Sequence, residues 1–120
     1  MAIQKILICD DAKADLENLR AALEGTNCIL VTATSGEEAV KKALSEKPDV
    51  IFLDIVMPGM DGFAACRKLR DDPATKHIPV IFVSSKQQKA DRAWAQMQGA
   101  KDLIGKPYDA KEVREKLAAL

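Results

Sequence analysis

The sequence predicts an α/β fold, a five-stranded parallel sheet doubly wound by helices on both faces. Three observations carry it. Apolar strand-like runs alternate with amphipathic helical segments five times along 120 residues. The run Val50-Ile51-Phe52-Leu53 is continuously apolar rather than alternating, the mark of a strand covered on both faces. Strict strand–helix alternation selects parallel pairing, because parallel neighbours need a crossover between them.

The elements follow in order. Lys5 to Cys9 forms the first strand, and Leu16, Leu19 and Leu23 keep helical spacing behind it. Cys28 to Ala33 is the second strand. Ser35-Gly36-Glu37-Glu38 then has the form of a capping box, with Ser at the cap and Glu three residues on. The helix it opens is expected to bury Ala39, Val40, Ala43 and Leu44. Val50 to Leu53 is the third strand, followed by a loop and a helix from Gly62 to about Arg70. Pro79 to Val83 leads into a helix with Ala90, Ala93, Trp94 and Met97 on one stripe, a position that reads as packing for Trp94. Leu103-Ile104 is a short last strand, and Asp109-Ala110-Lys111-Glu112 caps a helix carrying Val113, Leu117 and Leu120. Residues 1–120 read as one domain without a linker, repeat or output module.

Composition narrows the function. Apolar residues make up 48% and charged residues 30%, which suits a folded globular chain. Lys plus Arg equals Asp plus Glu at 18 each, so no basic field exists to hold a phosphate backbone, and direct nucleic-acid binding is not expected. No stretch approaches a membrane span and no signal-peptide core precedes the first strand, so the expected compartment is the cytoplasm. Cys9, Cys28 and Cys66 are isolated thiols, and core packing is their plainer reading over a redox role.

In an open doubly wound sheet, ligands bind beyond the carboxyl ends of the strands. Asp10 and Asp11 follow strand one, Asp54 ends strand three, Ser84 and Ser85 end strand four, and Lys106 follows strand five. Three carboxylates, two hydroxyls and one ammonium therefore share one edge. Carboxylates gathered this closely repel one another, and Mg²⁺ suits such an oxygen-rich set. With the cation screening its charge, Asp54 could attack phosphorus, the ammonium and hydroxyl gripping the phosphoryl oxygens. Singly, each residue has a blander use: Asp10-Asp11 and Ser84-Ser85 as helix caps, Lys106 as a solvated lysine. Jointly these fail, since capping needs no Lys and leaves Asp54 unexplained. His77, in the polar loop Asp71 to His77, reads as exposed.

At these residues the chain resembles the receiver domains of two-component response regulators. The matching residues are Asp10-Asp11, Asp54 within Phe-Leu-Asp-Ile-Val-Met-Pro-Gly-Met-Asp-Gly, Ser84 after Val-Ile-Phe-Val, and Lys106-Pro107-Tyr108. The resemblance implies the flavodoxin-like strand order 2-1-3-4-5, an order the family is known for. It also implies Asp54 as phosphoacceptor, charged by a histidine kinase or a small phosphodonor. Asp11, Asp54 and the backbone carbonyl of Val56 would hold Mg²⁺ directly, with Asp10 acting through water. Lys106 would pair with the phosphoryl group across a cis Lys106-Pro107 peptide, and Ser84, with Ser85 beside it, would respond to it. Output would appear on the face of helix four, strand five and helix five, near Leu103 and Tyr108, toward a downstream protein. The protein is expected as a monomer, with phosphorylation-dependent dimerisation as the alternative.

Two departures bear on the switch. Leu103 stands where the family often carries an aromatic ring that rotates inward, so switching is expected to rest on the loop after Ser84. Val56 and Lys86 occupy the positions that tune phosphate lifetime, and neither places a hydrolytic water as an acid or amide would. A long-lived phosphoryl group is the expectation. The stretch Asp91-Arg92-Ala93-Trp94 through Gln98-Gly99-Ala100-Lys101-Asp102 further resembles stand-alone receivers of pilus-associated, chemotaxis-like pathways.

Competing readings fit less well. An aspartyl-nucleophile phosphatase resembles a DxDxT pattern, whereas Val56 stands two residues after Asp54. A flavodoxin-like cofactor binder would not carry the acidic, glycine-free loop Asp10-Asp11-Ala12-Lys13 at its phosphate site. A phosphate sink or a constitutive scaffold remains the alternative within the same pathway.

Overall fold

The computed structural model describes residues 3–85 and 89–120, with residues 89–91 in backbone only. Five strands, β1 (Lys5–Cys9), β2 (Ile29–Ala33), β3 (Val50–Asp54), β4 (Val80–Ser84) and β5 (Asp102–Gly105), alternate with five helices. The helices are α1 (Lys13–Ala22), α2 (Gly36–Glu46), α3 (Gly62–Asp71), α4 (Lys89–Met97) and α5 (Ala110–Ala118). The sheet is parallel throughout, in the order β2-β1-β3-β4-β5.

Side-chain alternation divides the core into two layers. Ile6, Ile8, Val50, Phe52, Ile81, Val83 and Ile104 face α1 and α5, meeting Leu16, Leu19, Leu23 and Val113. Leu7, Cys9, Ile51, Leu53, Val80, Phe82 and Leu103 face the other way, against Ala39, Ala43, Ala65, Leu69 and Ala95. Every residue of β3 and β4 is buried, which is why these strands lack a polar face.

The helix starts follow their capping residues. Ser35 Oγ accepts the Glu38 amide at 3.1 Å. The Glu38 carboxylate returns to the Thr34 amide, one residue beyond the cap, at 2.7 Å. Asp61 and Asp109 cap α3 and α5 in the same way, accepting from Ala64 and Glu112.

Three expectations about packing are corrected. The α4 stripe is not a buried face: Trp94 is 49% and Met97 72% exposed, whereas Ala95 is the residue turned to the sheet. Ala95 lies about 100° around the helix from Trp94, and its methyl lets the helix approach the sheet closely. Trp94 instead sets its ring edge-on to Phe63 of α3, at 6.3 Å between centroids. The Ala90 side chain falls outside the described residues. Leu44 and Leu120 are also exposed, because α2 turns Ala39 and Ala43 into the core with Val40 half-buried beside them, and Leu120 lies past the end of α5.

Gly62 closes the loop after β3. Its amide donates to the Ile55 carbonyl at 2.8 Å, and a Cβ there would lie 2.2 Å from the Asp54 carbonyl oxygen. A side chain cannot fit without moving backbone. Gly62→Ala is therefore expected to lower stability by about 2 kcal/mol, read as a reduced urea midpoint; an unchanged midpoint would mean that α3 shifts freely.

Candidate functional site

Register brings the acids together. Cys9 pairs with Leu53, so Asp10 and Asp54, the next residues on adjacent strands, come side by side. Asp54 pairs with Val83, and Ser84 with Gly105, which carries Lys106 to the same edge. Side-chain alternation then selects the layer. Asp10 continues Ile6 and Ile8, Asp54 continues Val50 and Phe52, and Lys106 continues Ile104, all on the α1/α5 side.

Lys106 is the hub. Its Nζ donates to Asp10 Oδ2 at 2.8 Å, Asp15 Oδ2 at 3.2 Å and Asp54 Oδ1 at 3.3 Å. Its backbone amide donates to the Ser84 carbonyl at 2.7 Å, which fixes the start of the loop, and the Lys106-Pro107 peptide is cis. Asp10 is buried and uses its other oxygen, Oδ1, to accept the Ala12 amide at 2.9 Å. Asp11 is exposed at the mouth. One oxygen each from Asp10, Asp11 and Asp54 lies within 4.8 Å of the others. This all-oxygen set, part buried and part open to solvent, fits a hard divalent cation that keeps some of its water.

Asp54 is only 6% exposed. Burial, reinforced by the charge of Asp10, pushes its carboxyl up to about 6, while Lys106 opposes the rise. Burial works to lower the Lys106 ammonium, but the Asp10 hydrogen bond, the Asp54 and Asp10 charges and the Asp15 hydrogen bond prevail and raise it, so it stays protonated. Behind the acids, burial and then the Asp10 charge push the Cys9 thiol up to about 12. A thiol so held is not a nucleophile at neutral pH, in keeping with a packing role.

The remaining expected residues divide. Ser84 is buried at the end of β4, and Ser85 is exposed. Val56 is exposed on the loop after Asp54, and Lys86 lies outside the described residues. Tyr108 packs half-buried on the α1/α5 layer. Leu103 is corrected as a surface residue: at 2% exposure it faces the α2–α4 layer, because β5 is covered there by α4. His77 is exposed.

The sequence reading missed Asp15. It stands four residues before Leu19 on α1 and continues that buried stripe toward the crevice. An acid on an otherwise apolar stripe is the signal that could have found it; an acid in a helix's first turn is ordinarily explained by the helix dipole. Asp15, Asn18, Ala22, Ser85, Lys106 and Tyr108 line an open cleft of about 630 Å³ between α1 and the start of α5.

A buried strand-end acid, two further acids beside it and a lysine thus meet at the carboxyl edge of a (βα)5 sheet. Residues 6–118 match the response regulator receiver domain, and the chain belongs to that family. It is similar to Protein PilH of Pseudomonas aeruginosa, 41% identical over 116 residues that span 97% of this chain and 96% of PilH. Among solved structures it resembles the chemotaxis protein CheY4 of Vibrio cholerae, with a TM-score of 0.90, 25% identity and 98% of both chains covered. It also resembles the CheX–CheY–BeF3–Mg²⁺ complex of Borrelia burgdorferi, with a TM-score of 0.89, 29% identity, and 97% of this chain and 87% of that one covered. The chain is accordingly a phosphorylation-dependent signalling protein of the two-component type. Among the described residues no helix is long and apolar enough to cross a membrane.

The raised Asp54 carboxyl sets a pH dependence in metal-free protein. Its proton is held more tightly in the folded chain than in the unfolded one, where the value is near 3.8. Ionisation therefore opposes folding, and the penalty develops as pH rises from about 4 through about 6. Asp54→Asn should raise the urea midpoint at neutral pH, with the gain shrinking as pH falls from about 6 to about 4. A midpoint lowered at neutral pH would mean that pairing with Lys106 outweighs burial.

Proposed function

We propose that Asp54 accepts a phosphoryl group from a histidine kinase's phospho-His, or from a small phosphodonor, and that this acyl phosphate is the signal. The observation that carries the reading is the buried Asp54 carboxylate, held on one oxygen by Lys106 and flanked by Asp10 and Asp11. The phosphorus–nitrogen bond of the donor breaks, its electron pair returning to the imidazole, as an Asp54 oxygen bonds to phosphorus. Asp10, Asp11, Asp54 and the Val56 carbonyl would hold Mg²⁺, which when bound screens the carboxylates and steadies charge on the phosphoryl oxygens. Lys106 would donate to one of those oxygens, and the Ser84 hydroxyl to another.

Output passes to a downstream protein through α4, β5 and α5. These elements are already linked: Arg92 Nη1 donates to the Leu103 carbonyl at 3.1 Å, and Lys116 Nζ lies 2.9 Å from Asp102. Leu103 is buried, so an inward swing is not open to it, and the response falls to the loop after Ser84. Residues 1–120 act in the cytoplasm as one monomeric receiver unit. The similarity to PilH, which extends over 96% of that protein, supports a pilus- or chemotaxis-linked pathway.

The test is intact mass after incubation with acetyl phosphate, with and without Mg²⁺. One phosphate gained only by the native chain and only with Mg²⁺ is expected; uptake by Asp54→Ala would move the acceptor elsewhere. In a radiolabel chase the phosphoryl group should be lost slowly, and Val56→Asn should speed the loss several-fold by holding a water near phosphorus. Rapid loss from the native chain would contradict the role given to Val56 and Lys86.

A further inference from the structure

The three carboxylates on Lys106 are not equivalent. Asp10 and Asp54 belong to the group that could hold a cation, and Asp15 does not. A cation drawn into that group competes with the ammonium for the oxygens of Asp10 and Asp54. Asp10 has no idle oxygen in reserve, since Oδ1 already holds the Ala12 amide and Oδ2 holds Lys106. Asp54 in turn loses its carboxylate charge once it carries a phosphoryl group. Two of the three contacts that place Lys106 are thus altered by the event Lys106 is to serve.

We propose that Asp15 is a positioning residue for Lys106, an anchor outside the cation cluster that keeps the ammonium at the crevice mouth while the charges on Asp10 and Asp54 are redrawn. The geometry suits an anchor. Asp15 sits in the first turn of α1, whose next residue, Leu16, and following turn, Leu19, are buried in the core, so its backbone is fixed. Its side chain is 41% exposed on the wall of the cleft, which keeps the cost of its charge low. An ammonium has three protons in a fixed spread, and Asp15 takes one, leaving two for a phosphoryl oxygen and a second acceptor. Its part in phosphorylation rests on the reading of Asp54 as phosphoacceptor; the hold on Lys106 does not.

Two measurements test this. In metal-free protein labelled with ¹⁵N-lysine, hydrogen exchange of the Lys106 ammonium should be several-fold faster in Asp15→Asn than in the native chain, with Asp15→Glu restoring part of the protection. Unchanged exchange overturns the proposal, and this measurement needs no phosphorylation. Next, the rate of phosphorylation by acetyl phosphate at saturating Mg²⁺ is compared for Asp15→Asn in the native and Lys106→Ala backgrounds. A several-fold slowing that disappears when Lys106 is absent is expected, since residues acting through one another are non-additive. The same factor in both backgrounds would mean that Asp15 acts by its field or by helix stability, and would overturn the proposal. A native chain that takes up no phosphate would defeat the phosphoacceptor reading instead, leaving the exchange result to decide the role of Asp15.

Discussion

Two carboxylates buried side by side at the ends of adjacent strands need compensation, and Lys106 supplies it. Asp10 and Asp54 cannot separate, because the β1–β3 register holds them together. An uncompensated pair at that depth would neutralise itself by taking up a proton. One ammonium shared among three acids leaves the crevice negative overall, with Asp11 adding further charge at its mouth. The crevice therefore carries more negative charge than its lysine offsets. A divalent cation would relieve it, and under the proposed function a phosphoryl group on Asp54 would redistribute what remains.

Opposite walls of the crevice are fixed by different means. On the β3 side, the loop that carries Val56 is gripped from two helices. Gly62 of α3 binds the Ile55 carbonyl, and Glu37 of α2 accepts the Met60 amide at 3.1 Å. Gly36 lets α2 come this close, since a Cβ there would meet the Met60 carbonyl at 2.4 Å. On the β5 side, Lys106 is held by its backbone to Ser84 and by its side chain to the acids. Asp54 and the loop that carries Val56 are thus set by backbone packing, and the lysine side chain by charge. Chemistry that changes charge acts on the second wall before the first.

Much of this was legible in the sequence. The unbroken apolar run into Asp54 gave β3 and its depth, and the repeated strand-end acids marked the functional edge. Ser35 and Asp109 announced α2 and α5 through their capping pattern. What escaped depended on direction rather than residue type. Parity along β1, β3 and β5 puts Asp10, Asp54 and Lys106 on the α1 side, and only that makes Asp15 a neighbour. On α4 the apolar residues outnumber what the sheet can cover. Period alone gave the longer stripe to the core, whereas the sheet accepts the small Ala95 and leaves Trp94 to Phe63.

That same packing leaves α4 lightly buried among its described side chains. Among its described side chains, only Ala95 is buried, and an alanine carries little apolar surface into the core. Its other described attachments are polar or peripheral: Arg92 to the Leu103 carbonyl and the Trp94 ring edge on Phe63, with the Gln98 side chain just beyond its end bonded to Arg67. By contrast, α1 buries Leu16, Leu19 and Ala22, with Leu23 just beyond its end. A small free-energy change at the site can bias only an element whose alternative placement costs comparably little. By that criterion α4, with one buried side chain among those described, is the more easily biased of the two and α1 the less. The fold therefore sets a well-buried helix, whose Asp15 meets Lys106, and a lightly buried one on the same sheet, and the output proposed for Asp54 would run through the second.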